Sequence, residues 1–252
     1  MITRQQLQLL NRRTLKYPLD IAEKDYYLTE AIKLISESPL GDRLVFKGGS
    51  ALHHCYLPQR RFSEDLDFTS LDHDITLDTV VTTLESTGRF TIKKRFESFA
   101  TIKIGRLWYA GILAQPGAIK IEIDRKQNVV LSPVERPYAN VWGIKATVQT
   151  MNLLEIAAEK IRATATRVRY RDFYDLYLIL ESSGIEIEHA VNLLQHKEIR
   201  APIGPSYMRA NWQQAQQEAD DDLRSIHCSR QIEHDAITAM LSRFQFELIL
   251  PK

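Results

Sequence analysis

Apolar residues recur with two different periods along this chain, and the place where one gives way to the other divides it. Near the N-terminus Leu7, Leu9 and Leu10 mark a short polar helix within residues 2–16. Tyr27, Leu28, Ala31, Ile32, Leu34 and Ile35 then give residues 21–36 one broad apolar face, with Asp20 placed to cap that helix. Leu44, Val45 and Phe46 predict a short buried strand, and residues 65–68 alternate polar and apolar as a half-buried strand does. An amphipathic helix over 76–86 ends at Gly88. Runs of strand character follow at 90–96, 101–113 and 119–124, with Pro116-Gly117 predicting a tight turn before the last. Residues 132–148, which hold Pro133, Pro137 and Gly143, read as irregular connection. From Met151 onward the period is helical: residues 151–165 bury Leu153, Leu154, Ala157, Ala158 and Ile161, a second helix opens at Arg171, and a last amphipathic helix covers 232–241. The expected fold is α/β (α+β) in two lobes, a mixed β-sheet with flanking helices over 1–145 and a helical bundle over 146–252.

Composition narrows the class. The chain has 252 residues, 44% of them apolar and 26% charged, which is the balance of a globular protein. Its formal net charge is +1, so a nucleic-acid partner has to be held by a local basic patch rather than by the protein as a whole. Residues 160–171 supply one candidate, because every charge before Asp172 in that stretch is positive: Lys160, Arg162, Arg167, Arg169 and Arg171. Cys55 and Cys228 are too few for a disulfide framework and read as reduced thiols. No run approaches the roughly 20 apolar residues of a membrane span, and the N-terminus lacks the apolar core of a signal peptide; a cytoplasmic location with no membrane partner is expected. The acidic run at 220–222 reads as solvated, and His227, Cys228 and His234 as structural residues rather than ligands.

The candidate chemistry sits between Val45 and Phe68. Gly48-Gly49-Ser50 permits a sharp turn that presents backbone N–H groups to an anion, and a helix predicted from Ala51 to Tyr56 would aim the positive end of its dipole at the same point. Asp65 and Asp67 project from one strand face and repel each other unless a cation lies between them. Mg²⁺, or Mn²⁺ in its place, suits such a pair together with substrate phosphate oxygens. A D-x-D pair alone also fits a solvated strand edge, and G-G-S alone is weaker still; their joint occurrence is the specific signal. Residues 119–124 alternate strictly, with Lys120, Glu122 and Asp124 on one face, so either Glu122 or Asp124 is a candidate third carboxylate.

The string K-G-G-S-A-L-x8-R-F-S-E-D-L-D-F resembles the first motif of the AbiEii/AbiGii toxin family, a branch of the polymerase-beta-like nucleotidyltransferases. E-K-D-Y-Y-L-T-E over 23–30 is similar to the helix that precedes that motif. L-E-I-A-A-E-K-I-R-A followed by R-D-F-Y-D-L is similar to its later motifs. The resemblance implies a nucleotidyltransferase sheet lobe whose metal is held by Asp65 and Asp67, with Glu122 in the K-h-E-h strand. It also implies phosphate contacts from Gly48, Gly49, Ser50, Arg61 and Ser63, and a lysine, Lys160, against the nucleoside triphosphate. A downstream aspartate, Asp172 or Asp175, would be the general base. The implied reaction is nucleotide addition to RNA, favouring the 3′ end of tRNA, by the toxin of a toxin–antitoxin or abortive-infection system, opposed by a cognate antitoxin. Transfer to a protein hydroxyl would use the same metal site. A catalytically silent binding module would have no need to keep Asp65, Asp67 and Lys160. Acids near a helix start also complement its dipole, and ion pairs between basic and acidic residues lace neighbouring helices together, so the second helical block has a purely structural alternative.

Overall fold

The computed structural model describes residues 1–72 and 74–251, the Asp221 side chain excepted. The chain divides into two compact units, Met1–Gln127 with Pro133–Met151, and Asn128–Ser132 with Asn152–Lys252.

The first unit is built on a seven-stranded sheet. Thr3 opens α1 (Arg4–Arg13) with a capping box, its side chain accepting from Gln6 N while the Gln6 side chain accepts from Thr3 N. In α2 (Leu19–Ser36), Pro18 occupies the cap position without a side-chain bond, so Asp20 falls in the first turn instead of capping it as expected. The chain continues through β1 (Leu44–Lys47), α3 (Gly48–Ala51) with a π-helical turn over Leu52–Tyr56, and β2 (Asp65–Ser70). It then forms α4 (Leu77–Glu85), β3 (Phe90–Glu97), β4 (Thr101–Ala110), β5 (Pro116–Asp124), β6 (Val134–Pro137) and β7 (Thr147–Thr150). The strand order is β3-β4-β5-β2-β1-β7-β6, with β2–β5 and β1–β7 parallel and the other pairs antiparallel. One face carries Phe46, Leu66, Phe68, Ile102, Ile104, Leu107, Ile119, Ile121 and Ile123, all buried in a core shared with Leu28, Ala31 and Ile32 of α2 and Val80 and Leu84 of α4. By alternation, Asp65, Asp67, Lys103, Lys120 and Glu122 stand on the opposite face.

Two expectations for this unit are corrected. Residues 132–148 are not an irregular connection, since β6 and β7 lie at either end of the segment and extend the sheet. Strands of four residues are too short to show a period, and Pro137 is accommodated because β6 is an edge strand. Pro116-Gly117 is not the turn either. The chain reverses over residues 111–115, and Pro116 and Gly117 already pair with Ala110 and Tyr109. Gly117 is needed there because a Cβ would lie 2.2 Å from the Tyr109 ring, which stacks on Tyr27 at 3.8 Å.

Behind the π turn is a buried polar cluster. Asp25 of α2 accepts from Gln59 Nε2 at 2.6 Å and from Trp142 Nε1 at 2.9 Å, with His54 Nε2 at 3.7 Å. His54 donates from Nδ1 to the Ala139 carbonyl at 2.8 Å and stacks on Tyr138. Burial raises the Asp25 pKa and lowers that of His54, so both groups are biased toward their neutral forms. The cluster ties α2, the π turn and the 138–142 loop together, and the π turn is continuous with α3.

The second unit is helical: α5 (Leu153–Thr166), α6 (Tyr170–Ser183), α7 (Ile187–Leu194), α8 (Pro205–Gln217), α9 (Ala219–Ile226) and α10 (His234–Ser242). Asn152 caps α5 by accepting from Leu154 N at 3.0 Å, and Gly184 ends α6 at φ +65°. Its core holds Ile156, Ile161, Phe173, Leu176, Met208, Trp212 and Ile237. Asp222, read as part of a solvated run, accepts from Tyr170 N at 2.9 Å and so caps the first turn of α6; the Asp221 side chain of that run lies outside the described residues. Among the described residues no helix is long and apolar enough to cross a membrane.

Glu155 of α5 is the hinge pin of this unit. Its carboxylate accepts from the backbone of Val130 and Leu131, and Lys197 bonds it at 2.6 Å with both side chains fully buried. Removing one member of a buried pair leaves the other uncompensated, at a cost of roughly 3–5 kcal/mol. Lys197→Met is therefore expected to lower stability by about that amount in urea unfolding, with Glu155→Gln/Lys197→Met together closer to wild type than Lys197→Met alone.

Candidate active site

The site of the first unit begins where β1 turns into α3. Gly48 has φ +79°, in the left-handed region, and a Cβ on it would lie 2.6 Å from Asp67 Oδ2. A Cβ on Gly49 would lie 2.5 Å from Arg61 Nη2 and 2.8 Å from Ser63 Oγ. The two glycines thus lack side chains for a shared reason: the carboxylate, guanidinium and hydroxyl of the 61–67 segment fill that space. Helical structure starts at Gly48, three residues before the expected Ala51, so the N–H groups of Gly48, Gly49 and Ser50 belong to a first turn, where backbone donors have no intrahelical partner. Ser50 is buried and its hydroxyl donates to the Asp65 carbonyl at 2.5 Å. That bond fastens the turn to β2. Arg61, 3% exposed, donates to the Phe62 carbonyl at 2.8 Å.

Register across the sheet aligns a row of charges that local sequence does not announce. Lys47 lies opposite Asp67, Asp67 opposite Glu122, and Glu122 opposite Lys103, running from β1 through β2 and β5 to β4. The Glu122 carboxylate pairs with Lys103 at 3.0 Å, each about half exposed. Asp124, the rival to Glu122, uses Oδ1 to accept from the backbone of Lys126 and Gln127 at 2.8 Å, which shapes the turn after β5. Lys47 Nζ donates to Gln127 Oε1 at 2.6 Å. Among the described residues no group of three or more His, Cys, Asp or Glu side chains is gathered closely enough to hold a metal ion by itself. A two-carboxylate set nonetheless fits Mg²⁺, which completes its octahedron with water and substrate phosphate instead of an all-protein cage. Lys24 pairs with Glu64 at 2.7 Å, next to Asp65. Glu23 accepts from Leu113 N, and burial raises its carboxyl pKa. Lys47, Lys103 and Gln127 carried no role in the sequence reading. Lys47 is signalled only by preceding the double glycine, and Lys103 by nothing short of the register.

In the helical unit Lys160 lies between Asp172 at 2.9 Å and Asp175 at 2.7 Å, all three buried. Burial works against ionisation of Asp172, but the Lys160 and Arg167 charges outweigh it and hold its carboxyl below the usual range. Arg162 pairs with Glu159, and Arg167 Nε is 3.9 Å from Asp172. The basic stretch is therefore largely matched by acids of its own unit.

Residues 31–248 match the family described as nucleotidyl transferase AbiEii toxin, Type IV TA system. The chain belongs to that family. As an AbiEii-family protein it is a nucleotidyltransferase toxin of a type IV toxin–antitoxin system; the first motif led one to expect the nucleotidyltransferase and the toxin, not the type. The fold is similar to that of MenT4, a nucleotidyltransferase toxin from Mycobacterium tuberculosis H37Rv, with a TM-score of 0.61 and 22% identity over 75% of this chain and 68% of that one. No curated protein matched the sequence.

The glycine turn is testable without an activity assay. Gly48→Ala places a non-glycine residue at positive φ, a cost of about 1–3 kcal/mol, and also presses on the Asp67 carboxylate. Gly143 has a similar φ of +75° with no atom within 4 Å of its Cβ position. Urea unfolding should show Gly48→Ala less stable than Gly143→Ala, the difference measuring the crowding at Asp67.

Proposed function

We propose that this AbiEii toxin is a divalent-metal-dependent enzyme that transfers a nucleotidyl group from a nucleoside triphosphate to an RNA acceptor, the 3′ end of tRNA, under the check of a cognate antitoxin. The observation that carries the reading is the packing of Asp67 against the bare Gly48 backbone, with Asp65 two residues away on the same strand face. Phosphate donors and metal-type acceptors then lie side by side.

Asp65 and Asp67 would hold the metal, and Glu122 would join them as the third carboxylate only when the cation draws it from Lys103, in preference to Asp124, whose Oδ1 is already engaged in a turn. Mg²⁺ or Mn²⁺ bound there supplies charge neutralisation to the triphosphate and to the attacking and leaving oxygens. The first-turn amides of α3 bind phosphate oxygens, and Arg61, behind Gly49, holds the loop that delivers Asp65. In the transfer, the acceptor hydroxyl oxygen forms a bond to the α-phosphorus, the bond from that phosphorus to the bridging oxygen breaks, and pyrophosphate leaves. We assign the hydroxyl proton to Glu122, which is half exposed beside Asp67. Asp172, held ionised by its cations, is a weak proton acceptor.

Two measurements test the reading. Incubation with Mg²⁺, each labelled nucleoside triphosphate and total tRNA should label tRNA with wild type, lose label when the metal is chelated, and fall by roughly 10²–10³-fold in Asp67→Asn, the scale of removing one electrostatic contact to reacting charge. Label on protein instead of tRNA, or full activity in the variant, would count against it. Lys160→Met is expected to lower stability in urea unfolding, because Asp172 and Asp175 are left facing each other; a nucleotide contact would add a raised nucleotide KM in the variant that is still folded, and an unchanged KM would leave Lys160 a structural residue.

A further inference from the structure

The polar face of the sheet continues past the carboxylates to the β3 edge, and its character changes on the way. Phe96 of β3 lies opposite Lys103, which lies opposite Glu122, which lies opposite Asp67, so one row runs from the sheet edge to the metal-type pair. In the neighbouring rows Lys94 is opposite Arg106, Thr91 is opposite Trp108, and Lys120 is opposite Asp65. Lys94, Lys103, Arg106 and Lys120 are exposed, Phe96 is 56% exposed, and the Lys93 ammonium sits 5.7 Å from the centroid of the half-buried Trp108 ring. Edge-strand lysines also blunt pairing with other strands, but that task has no use for an exposed phenylalanine and an indole on the same face as the cations.

The geometry points to this face of β3, β4 and β5 as the track on which a single-stranded RNA 3′ end lies before reaction, Phe96 and Trp108 stacking its bases and Lys94, Arg106 and Lys120 taking its phosphates. Alternating aromatic and cationic side chains suit single strands, whose bases are open to stacking. From Phe96 to Asp67 is three strand spacings, about 14 Å, or about four nucleotides stacked at about 3.4 Å each. A strand on the track brings its terminal hydroxyl to Asp65 and Asp67. The basic stretch of the helical unit, to which the sequence pointed, is the weaker candidate because Lys160, Arg162 and Arg167 face acids of their own unit. Lys103 is held by Glu122, so the draw of a metal on Glu122 would free a further cation for the strand.

The inference rests on the RNA-acceptor reading and is tested by binding alone. Fluorescence anisotropy with a tRNA transcript, and with the same transcript trimmed of its unpaired 3′ nucleotides, is measured for wild type, Lys94→Glu/Arg106→Glu, Trp108→Ala and Arg167→Glu/Arg169→Glu. All are checked by unfolding curves, with Trp108→Phe as the conservative control. Lys94→Glu/Arg106→Glu should weaken binding about tenfold or more and flatten its salt dependence. Trp108→Ala should weaken the intact transcript about tenfold while leaving the trimmed one unchanged, and Trp108→Phe should restore most of the loss. Wild-type affinity in both sheet variants, with the loss in Arg167→Glu/Arg169→Glu, would overturn the track. If wild type binds neither transcript, the RNA-acceptor reading itself fails, an outcome distinct from intact binding by the variants.

Discussion

Two like charges on one face of a short strand are the constraint around which the first unit is arranged. Asp65 and Asp67 are separated by a single residue, and neither can move away without losing the register that puts Leu66 and Phe68 in the core. The neighbouring structure accepts the strain in two ways. Gly48 lets the Asp67 carboxylate come against bare backbone at the positive end of α3, and Lys47 and Lys103 stand at either end of the row that contains it. Ser50, the third residue of the turn, bonds the Asp65 backbone and keeps the turn and strand at a fixed separation. A site that holds a divalent cation and a polyphosphate needs these same features.

How much of this was legible in sequence depends on how far apart the interacting residues are. The strand, turn and paired acids between Leu44 and Phe68 were readable because each signal is local and their order is specific. Glu122 was readable only as one of two alternating acids; parallel pairing of β2 with β5 sets it opposite Asp67 and Asp124 opposite Thr69, and nothing within residues 119–124 encodes those partners. Lys103 was silent for the same reason. The four-residue strands β6 and β7 were missed because so short a run shows no period, and β7 is a strand by virtue of lying against β1. In the helical unit, the spacing of Asp172 and Asp175 correctly put them on one face. Their shared partner, Lys160 from α5, is a tertiary fact.

The polar interior does structural work that composition alone conceals. Asp25 and His54 are buried together behind the π turn, and Glu155 with Lys197 is buried in the helical unit. Each cluster joins segments distant in sequence by directional bonds that an apolar contact would not orient. The first bears on the site, because His54 belongs to the turn that continues α3, and a shift there would carry the Gly48–Ser50 amides with it. In this scaffold the helices and the apolar sheet face fix the backbone, and the opposite face carries Asp65, Asp67 and Glu122.

We propose that the paired carboxylates and the glycine turn form one metal–phosphate site. The most direct measurement is a crystal structure grown with Mn²⁺ and a non-hydrolysable nucleoside triphosphate analogue, with anomalous scattering locating the metal. An anomalous peak is expected bonded to carboxylate oxygens of both Asp65 and Asp67, at about 2.0–2.2 Å, with phosphate oxygens within hydrogen-bonding distance of the Gly48–Ser50 amides. A triphosphate bound elsewhere, or a metal that avoids both aspartates, would contradict it.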